Sequence, residues 1–262
     1  MNYTDYTNRE LQAIAISKQI RDGQVVIVGT GLPLIGGSVA KRCFVPGCHL
    51  IVESGIMDIN PPEVPGSVSD IRFMSHCSIQ WDNYRYLGLQ VNSWLKENVD
   101  MMAFIGGAQI DPYGNVNSTA IGEYAHPKVR FSGSGGANGI ATFVNTVITM
   151  KHKKTNFVEK VDYITSPGWI NGPNGRAQMG LPANRGPQIV ISELGTFKFD
   201  PQTKRMYLNS YFPTSSIEEI EDMTGFDLDV SRAVQEEEPD PEIIRIIREE
   251  IDPGQVFIKW SR

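Results

Sequence analysis

The amino-acid sequence predicts an α/β fold: an open, doubly wound, mainly parallel sheet flanked by helices, followed by a C-terminal hairpin and helices. Short uninterrupted apolar runs at 25–28, 49–52 and 102–105 have the pattern of strands buried on both faces, as parallel strands are. The first run leads through a glycine-rich turn and a helical segment to the second, which makes a βαβ unit. A second unit begins at 102–105, which ends in Gly106-Gly107. It continues at 129–131, which runs into the glycines of 132–136 ahead of a helix from Asn138. Strand candidates at 147–150 and 188–192 extend the alternation, which favours a doubly wound sheet over an all-β or helical fold.

Taken in order, the chain opens on a capped helix. Thr7 and Glu10 have capping-box spacing, Leu11, Ile14 and Ala15 supply an apolar face, and Gly23 stops it. After the strand at 25–28, the stretch GTGLPLIGGSVAKRC reads as a glycine turn entering a helix. The strand at 49–52 is closed by Glu53-Ser54-Gly55. Beyond Gly195 the texture changes: runs at 196–199 and 205–211 flank Asp-Pro-Gln-Thr-Lys in the manner of a hairpin peripheral to the parallel core. Two helices follow. One starts from Ser215, with Glu218 at capping-box spacing. The other spans 240–250, with Pro241 in its first turn and Pro253 beyond its end. Glu236, Glu237 and Glu238 form an acidic, solvated linker. The expected organisation is one domain over 1–262, with 196–262 a C-terminal extension packed on it.

Composition narrows the function classes. The 262 residues are 40% hydrophobic and 21% charged, enough for a sizeable core. Twenty-four basic residues against thirty acidic ones give a net charge of −6 with no basic stripe, so no nucleic-acid footprint is visible. There is no basic-then-apolar leader at the N-terminus, and no apolar run approaches the roughly 20 residues of a membrane helix. A cytoplasmic protein is expected. Three cysteines, Cys43, Cys48 and Cys77, are too few for a disulfide framework. Cys43, Cys48 and His49 lack the second pair that a structural metal site needs, so packing is the better account of them and no metal is expected.

Several features are candidates for chemistry. Gly31, Gly36, Gly37 and Ser38 nearly reproduce a phosphate loop, but Gly37 stands where lysine must supply charge. A dinucleotide fingerprint fails as well, because Leu34 occupies the third glycine position. The turn is either a tight strand-to-helix connection or, at Gly31, a ligand contact. Glu53 is a carboxylate at the carboxyl end of a buried strand, where open α/β sheets place their ligand crevice. Ser54-Gly55 is suited to a turn presenting it there, and capping a following helix is the alternative. The run SGSGGANG, including Gly135, Gly136, Ala137 and Asn138, can bring backbone N–H groups close to developing negative charge. One oxyanion donor of that kind is worth about 3 kcal/mol. It is not a nucleophile elbow, since Ser132 sits where the first glycine belongs. Gln109 follows a buried strand and is a further crevice candidate. His49, His76, His126 and His152 show no pairing with a nucleophile or metal.

At these residues the sequence resembles family I coenzyme A transferases. The matching stretches are VVIVGTGLPLIGGSVAKR, HLIVESGIMD, AFIGGAQIDPYGNVNSTAIG, RFSGSGGANGIATFVN, DYITSPGWINGP, KRMYLNSYFPTSS, TGFDLDVS and IREEIDPGQVFI, which span nearly the whole chain. The resemblance implies a beta-type subunit whose nucleophilic glutamate is Glu53, within VESG, and whose glycine loop near the reacting carbonyl is 133–138, with the Gly136 amide as oxyanion donor. It implies an alpha-type partner subunit in a hetero-oligomer, with four copies of each chain. It implies coenzyme A as substrate and covalent intermediate, with no permanently bound cofactor. Donors would be acetyl-coenzyme A or glutaconyl-coenzyme A, and acceptors glutaconate or 2-hydroxyglutarate. Relatives that hydrolyse or decarboxylate coenzyme A esters have lost or replaced this glutamate, so the presence of Glu53 favours transfer over those activities. A non-catalytic binding subunit would leave Glu53 without a role.

Overall fold

Thr7 starts the first helix, α1 (Asn8–Ser17), as its spacing to Glu10 predicts. Its side chain accepts from the Glu10 N–H while the Glu10 carboxylate takes the Thr7 N–H at 2.8 Å, which satisfies two orphan donors at once. The structure, a computed structural model, describes residues 3–67, 70–96 and 99–260. It divides into two units, Met1–Phe104 with Glu237–Arg262, and Ile105–Glu236.

In the first unit, α1 is followed by β1 (Val25–Ile27), α2 (Leu32–Val39), β2 (His49–Ile51), β3 (Ile56–Met57), α3 (Arg72–Ser75), β4 (Ile79–Gln80), α4 (Asn83–Lys96) and β5 (Met101–Gly106). β5 runs two residues past the division between the units. The strand order is β5-β1-β2-β3-β4. β5, β1 and β2 are parallel, as their continuous apolar runs predict, with Val25 in register with both Met101 and His49. β3 and β4 extend the edge antiparallel.

The predicted glycine turn is shorter than the sequence suggests. Helix α2 starts at Leu32, with Pro33 in its first turn, so Gly36 and Gly37 lie inside it. Their missing side chains permit close packing. A Cβ on Gly36 would stand 2.2 Å from Ile16 Cγ2 of α1, and one on Gly37 would stand 3.2 Å from Leu50 of β2.

The second unit holds β6 (Gln109–Ile110), β7 (Val116–Asn117), β8 (Ala120–Ile121), β9 (Val129–Arg130), α5 (Ala137–Phe143), β10 (Asn145–Thr149), α6 (Gly175–Gln178), β11 (Pro187–Ile191), β12 (Gly195–Phe199), β13 (Met206–Tyr211), α7 (Ile217–Asp222) and β14 (Val234–Gln235). The order is β10-β11-β12-β13-β14, with β10 and β11 parallel and β12 and β13 antiparallel. The hairpin at β12 and β13 forms as predicted, but it pairs directly with β11 and buries Phe197 and Leu208 instead of lying at the periphery. The expected parallel strand at 129–131 is a two-residue strand paired antiparallel with β8, outside this sheet. Lys128 and Arg130 flank Val129, and Val129 and Phe131 are exposed, so there is no apolar face to bury. The cap of α7 is Ser216, one residue after the predicted Ser215.

His152 lies at the centre of this second core, stacked on Phe157 with ring centroids 4.1 Å apart. Its Nδ1 is 3.0 Å from Ser192 Oγ and its Nε2 is 3.1 Å from Thr224 Oγ1. The Thr224 hydroxyl donates to the Ile220 carbonyl at 2.7 Å, so it accepts from Nε2–H. Burial lowers the pKa of the ring to about 4, so it is neutral near pH 7.

The last segment belongs to the first unit: α8 (Pro241–Ile246), capped by Asp240, runs into a π turn, Ile247–Ile251. From that turn Arg248 reaches Glu10 at 2.6 and 2.9 Å, both side chains buried, so the capping glutamate of α1 also neutralises a buried guanidinium. Among the described residues no helix is long and apolar enough to cross a membrane.

Two outcomes follow from this packing. Gly36→Ala forces its new methyl into Ile16 and is expected to lower unfolding free energy by about 1–3 kcal/mol in urea titration. The stability that neutral His152 contributes is complete above its unfolded pKa of 6.5 and is lost as pH falls towards about 4. Wild type should therefore lose about 3 kcal/mol more than His152→Gln between pH 7 and pH 4. Equal losses would show that the buried ring does not set this dependence.

Candidate functional site

Glu53 sits at the tip of the β2–β3 hairpin, immediately past a buried strand. The Gly55 N–H donates to the Val52 carbonyl at 2.9 Å, and the Val52 N–H to the Ile56 carbonyl at 3.0 Å. A β-turn over Val52 to Gly55 followed by Gly55 at φ +81° is the three-residue hairpin with a glycine bulge. Glu53 and Ser54 are exposed on it, while Val52, Gly55 and Ile56 are buried. A hairpin, not a helix, follows Glu53, so helix capping is not its task.

Gly55 is needed for more than its φ. The Trp81 N–H donates to the Gly55 carbonyl at 2.8 Å, and a Cβ on Gly55 would lie 2.3 Å from the Trp81 carbonyl oxygen. The hairpin tip is thus held against the entry to α4. At its base, Asp58 takes hydrogen bonds from Lys41 at 2.8 Å and Ser78 at 2.8 Å, with His49 at 3.4 Å. Burial pushes the Asp58 carboxyl up, but the Lys41 and Ser78 bonds outweigh it and hold the group below its ordinary value.

Gly31 and Ser54 belong to the same unit as Glu53. β1 and β2 are parallel neighbours, so the 28–31 turn and the Glu53 turn leave the same end of the sheet, the end at which ligands bind in open α/β folds. Gly31, at φ +102°, is the N-cap of α2, and its carbonyl accepts from the Leu34 N–H at 3.1 Å and the Ile35 N–H at 3.2 Å.

The glycine loop lies in the second unit. Gly133 and Gly135 adopt φ of +92° and +51°, conformations that favour glycine. Ser118 anchors the loop: its carbonyl accepts from the Gly133 N–H at 3.1 Å, and its hydroxyl donates to the Gly133 carbonyl at 3.1 Å. Gly136 caps α5, the Ala137 N–H is bonded to the Ser134 carbonyl, and the Asn138 side chain donates to the Thr165 carbonyl at 2.8 Å. Gln109, also in this unit, is buried. Its amide donates to Asp162 and accepts from Asn117 at 2.7 Å and from the Asp162 N–H.

Two residues with no sequence signal stand out. Arg176 is buried and, among the described residues, donates to backbone carbonyls, including those of Ala141 and Thr142 in the last turn of α5, and burial lowers its pKa to about 10. It fixes the helix behind the glycine loop. Tyr86 on α4 is buried in the first unit, and its pKa is raised first by burial and then by the charge of Glu53. Among the described residues no group of three or more His, Cys, Asp or Glu is placed to hold a metal ion.

Comparison with known proteins gives a consistent result. A coenzyme A transferase family model matches residues 9–222. A glutaconate CoA-transferase subunit from Acidaminococcus fermentans is 63% identical over 98% of this chain and 97% of its own length. A 3-oxoadipate CoA-transferase subunit from Pseudomonas knackmussii is 32% identical over 88% of this chain and 87% of its own. The crystal structure of glutaconate coenzyme A-transferase from Acidaminococcus fermentans superposes with a TM-score of 0.97 at 62% identity, covering 99% of this chain and 100% of the other.

Gly55→Ala is expected to destabilise the first unit by about 2–3 kcal/mol in chemical denaturation, through backbone strain and collision with Trp81. Ser54→Ala, on the exposed part of the same turn, should cost under about 0.5 kcal/mol.

Proposed function

The chain belongs to the coenzyme A transferase family, and from that premise we propose that it is the glutamate-bearing subunit of a two-subunit enzyme moving coenzyme A between an acyl-coenzyme A and a dicarboxylic acid. Glutaconate or 2-hydroxyglutarate is the acceptor, and acetyl-coenzyme A or glutaconyl-coenzyme A the donor. The observation that carries this reading is the exposed Glu53 carboxylate, held on a glycine-closed hairpin tip at the carboxyl end of a parallel strand.

In the proposed mechanism a Glu53 oxygen attacks the thioester carbonyl and expels coenzyme A thiolate, leaving an acyl-glutamyl anhydride. The thiolate then attacks the glutamyl carbonyl and releases the carboxylic acid as its anion, giving a glutamyl-coenzyme A thioester. The acceptor carboxylate enters and the two steps run in reverse. The glycine loop is assigned to the thioester carbonyl, with the Gly136 amide as oxyanion donor. Its supports are the family resemblance and a backbone held in conformations that favour glycine at Gly133 and Gly135. Binding energy from the distant part of coenzyme A lowers the barrier at the carbonyl.

The partner is an alpha-type subunit, in a hetero-octamer with four copies of each chain. That each of the two similar relatives is itself one subunit of a CoA-transferase supports a partner. Cytoplasmic placement is part of the same reading, supported by the free thiols of Cys43, Cys48 and Cys77.

Mixing the two-subunit complex with acyl-coenzyme A, reducing with borohydride and mapping peptides should place the modification on Glu53. Glu53→Ala should lower transfer by at least about 10³-fold. An active complex with an unmodified Glu53 would refute the covalent route.

A further inference from the structure

Tyr86 carries an unused donor beside the proposed nucleophile. The residue is 7% exposed, and its hydroxyl oxygen is buried with no hydrogen-bond partner among the described residues. A buried donor without an acceptor is destabilising, and phenylalanine would fill the same space without that penalty. The hydroxyl is therefore unexplained by packing.

Its placement follows from the contacts of the Glu53 turn. Gly55 is clamped to Trp81, Asp82 caps the start of α4 by accepting from the Arg85 N–H at 2.9 Å, and the Tyr86 N–H donates to the Asp82 carbonyl at 3.1 Å. Tyr86 thus stands in the first turn of the helix against which the hairpin tip is pinned. The Glu53 charge acts on its phenol, which burial and that charge together hold protonated and able to donate.

We propose that Tyr86 is a positioning residue for Glu53: its hydroxyl donates to one oxygen of the Glu53 carboxylate when substrate is engaged, which fixes the rotamer and leaves the other oxygen to attack the thioester. No proton is transferred in this role. The donor acquires its acceptor only in the reacting arrangement, so its effect falls on the rate of acylation and not on the affinity for acyl-coenzyme A. This rests on Glu53 being the nucleophile.

The test uses the two-subunit complex with wild-type, Tyr86→Phe and Tyr86→Leu chains. It measures unfolding midpoint, KM and kcat for acyl-coenzyme A, and the rate at which borohydride-reducible label appears on Glu53. Tyr86→Phe should unfold at the wild-type temperature or above, keep KM within about threefold, and acylate Glu53 about ten- to a hundredfold more slowly. Tyr86→Leu should lose stability as well, which separates the ring's packing from the hydroxyl. Wild-type acylation in Tyr86→Phe would overturn the assignment while leaving Glu53 as nucleophile. So would a lowered midpoint with unchanged kcat, the mark of a packing role alone. A wild-type complex with no label on Glu53 would overturn the nucleophile reading, and this inference with it.

Discussion

The approach of two backbones at Gly55 and Trp81 is the constraint on which the Glu53 turn depends. A side chain at Gly55 would overlap the Trp81 carbonyl, and only a residue at ease with positive φ closes the turn after Ser54. Those two demands on one glycine put an acid at the surface directly beyond a strand that is otherwise buried. The strand supplies rigidity, because Leu50 and Ile51 are buried, with Leu50 packed against α2 at Gly37. The turn supplies exposure. A carboxylate on a long loop would lose the orientation that nucleophilic attack requires.

The glycines of this chain solve different problems. Gly36 and Gly37 let α1 and the sheet close on α2, and that contact leaves no room for a phosphate-binding role at either position. Gly133 has open space where a Cβ would stand, so its backbone conformation, not crowding, is what calls for glycine there. Arg176 contributes to the same region from behind. Its guanidinium gathers the carbonyls at the end of α5, with cation and acceptors enclosed together, which makes that end of the helix costly to displace.

Buried polar groups stabilise each unit in its own way. In the first, Glu10 serves as capping residue for Thr7 and as counter-ion for Arg248, so the start of the chain and its last helical turn share one carboxylate. In the second, His152 replaces what would be apolar packing with two hydroxyl bonds, at the expense of stability in acid. In both arrangements the buried groups have hydrogen-bond partners, the condition under which burial of such groups is tolerated.

By itself the sequence determined whatever a residue's own backbone preference and near neighbours control. The parallel strands at 25–27, 49–51 and 101–106 follow from unbroken apolar runs, the cap at Thr7 from its spacing to Glu10, and the hairpin around 200–204 from turn chemistry. Glu53 was legible as a strand-end acid, and the family resemblance was legible across nearly the whole chain. Tertiary structure decided the rest. That Gly36 is a helix-packing residue depends on Ile16 from another element. That 129–130 pairs with β8 outside the main sheet depends on its polar flanks finding no core. The Gly55–Trp81 clamp and the buried Tyr86 hydroxyl near Glu53 join segments far apart in the chain. Local sequence carries a residue's own preferences but not the identity of a distant partner, and it is that partner which sets burial, close approach and the electrostatic surroundings of a side chain.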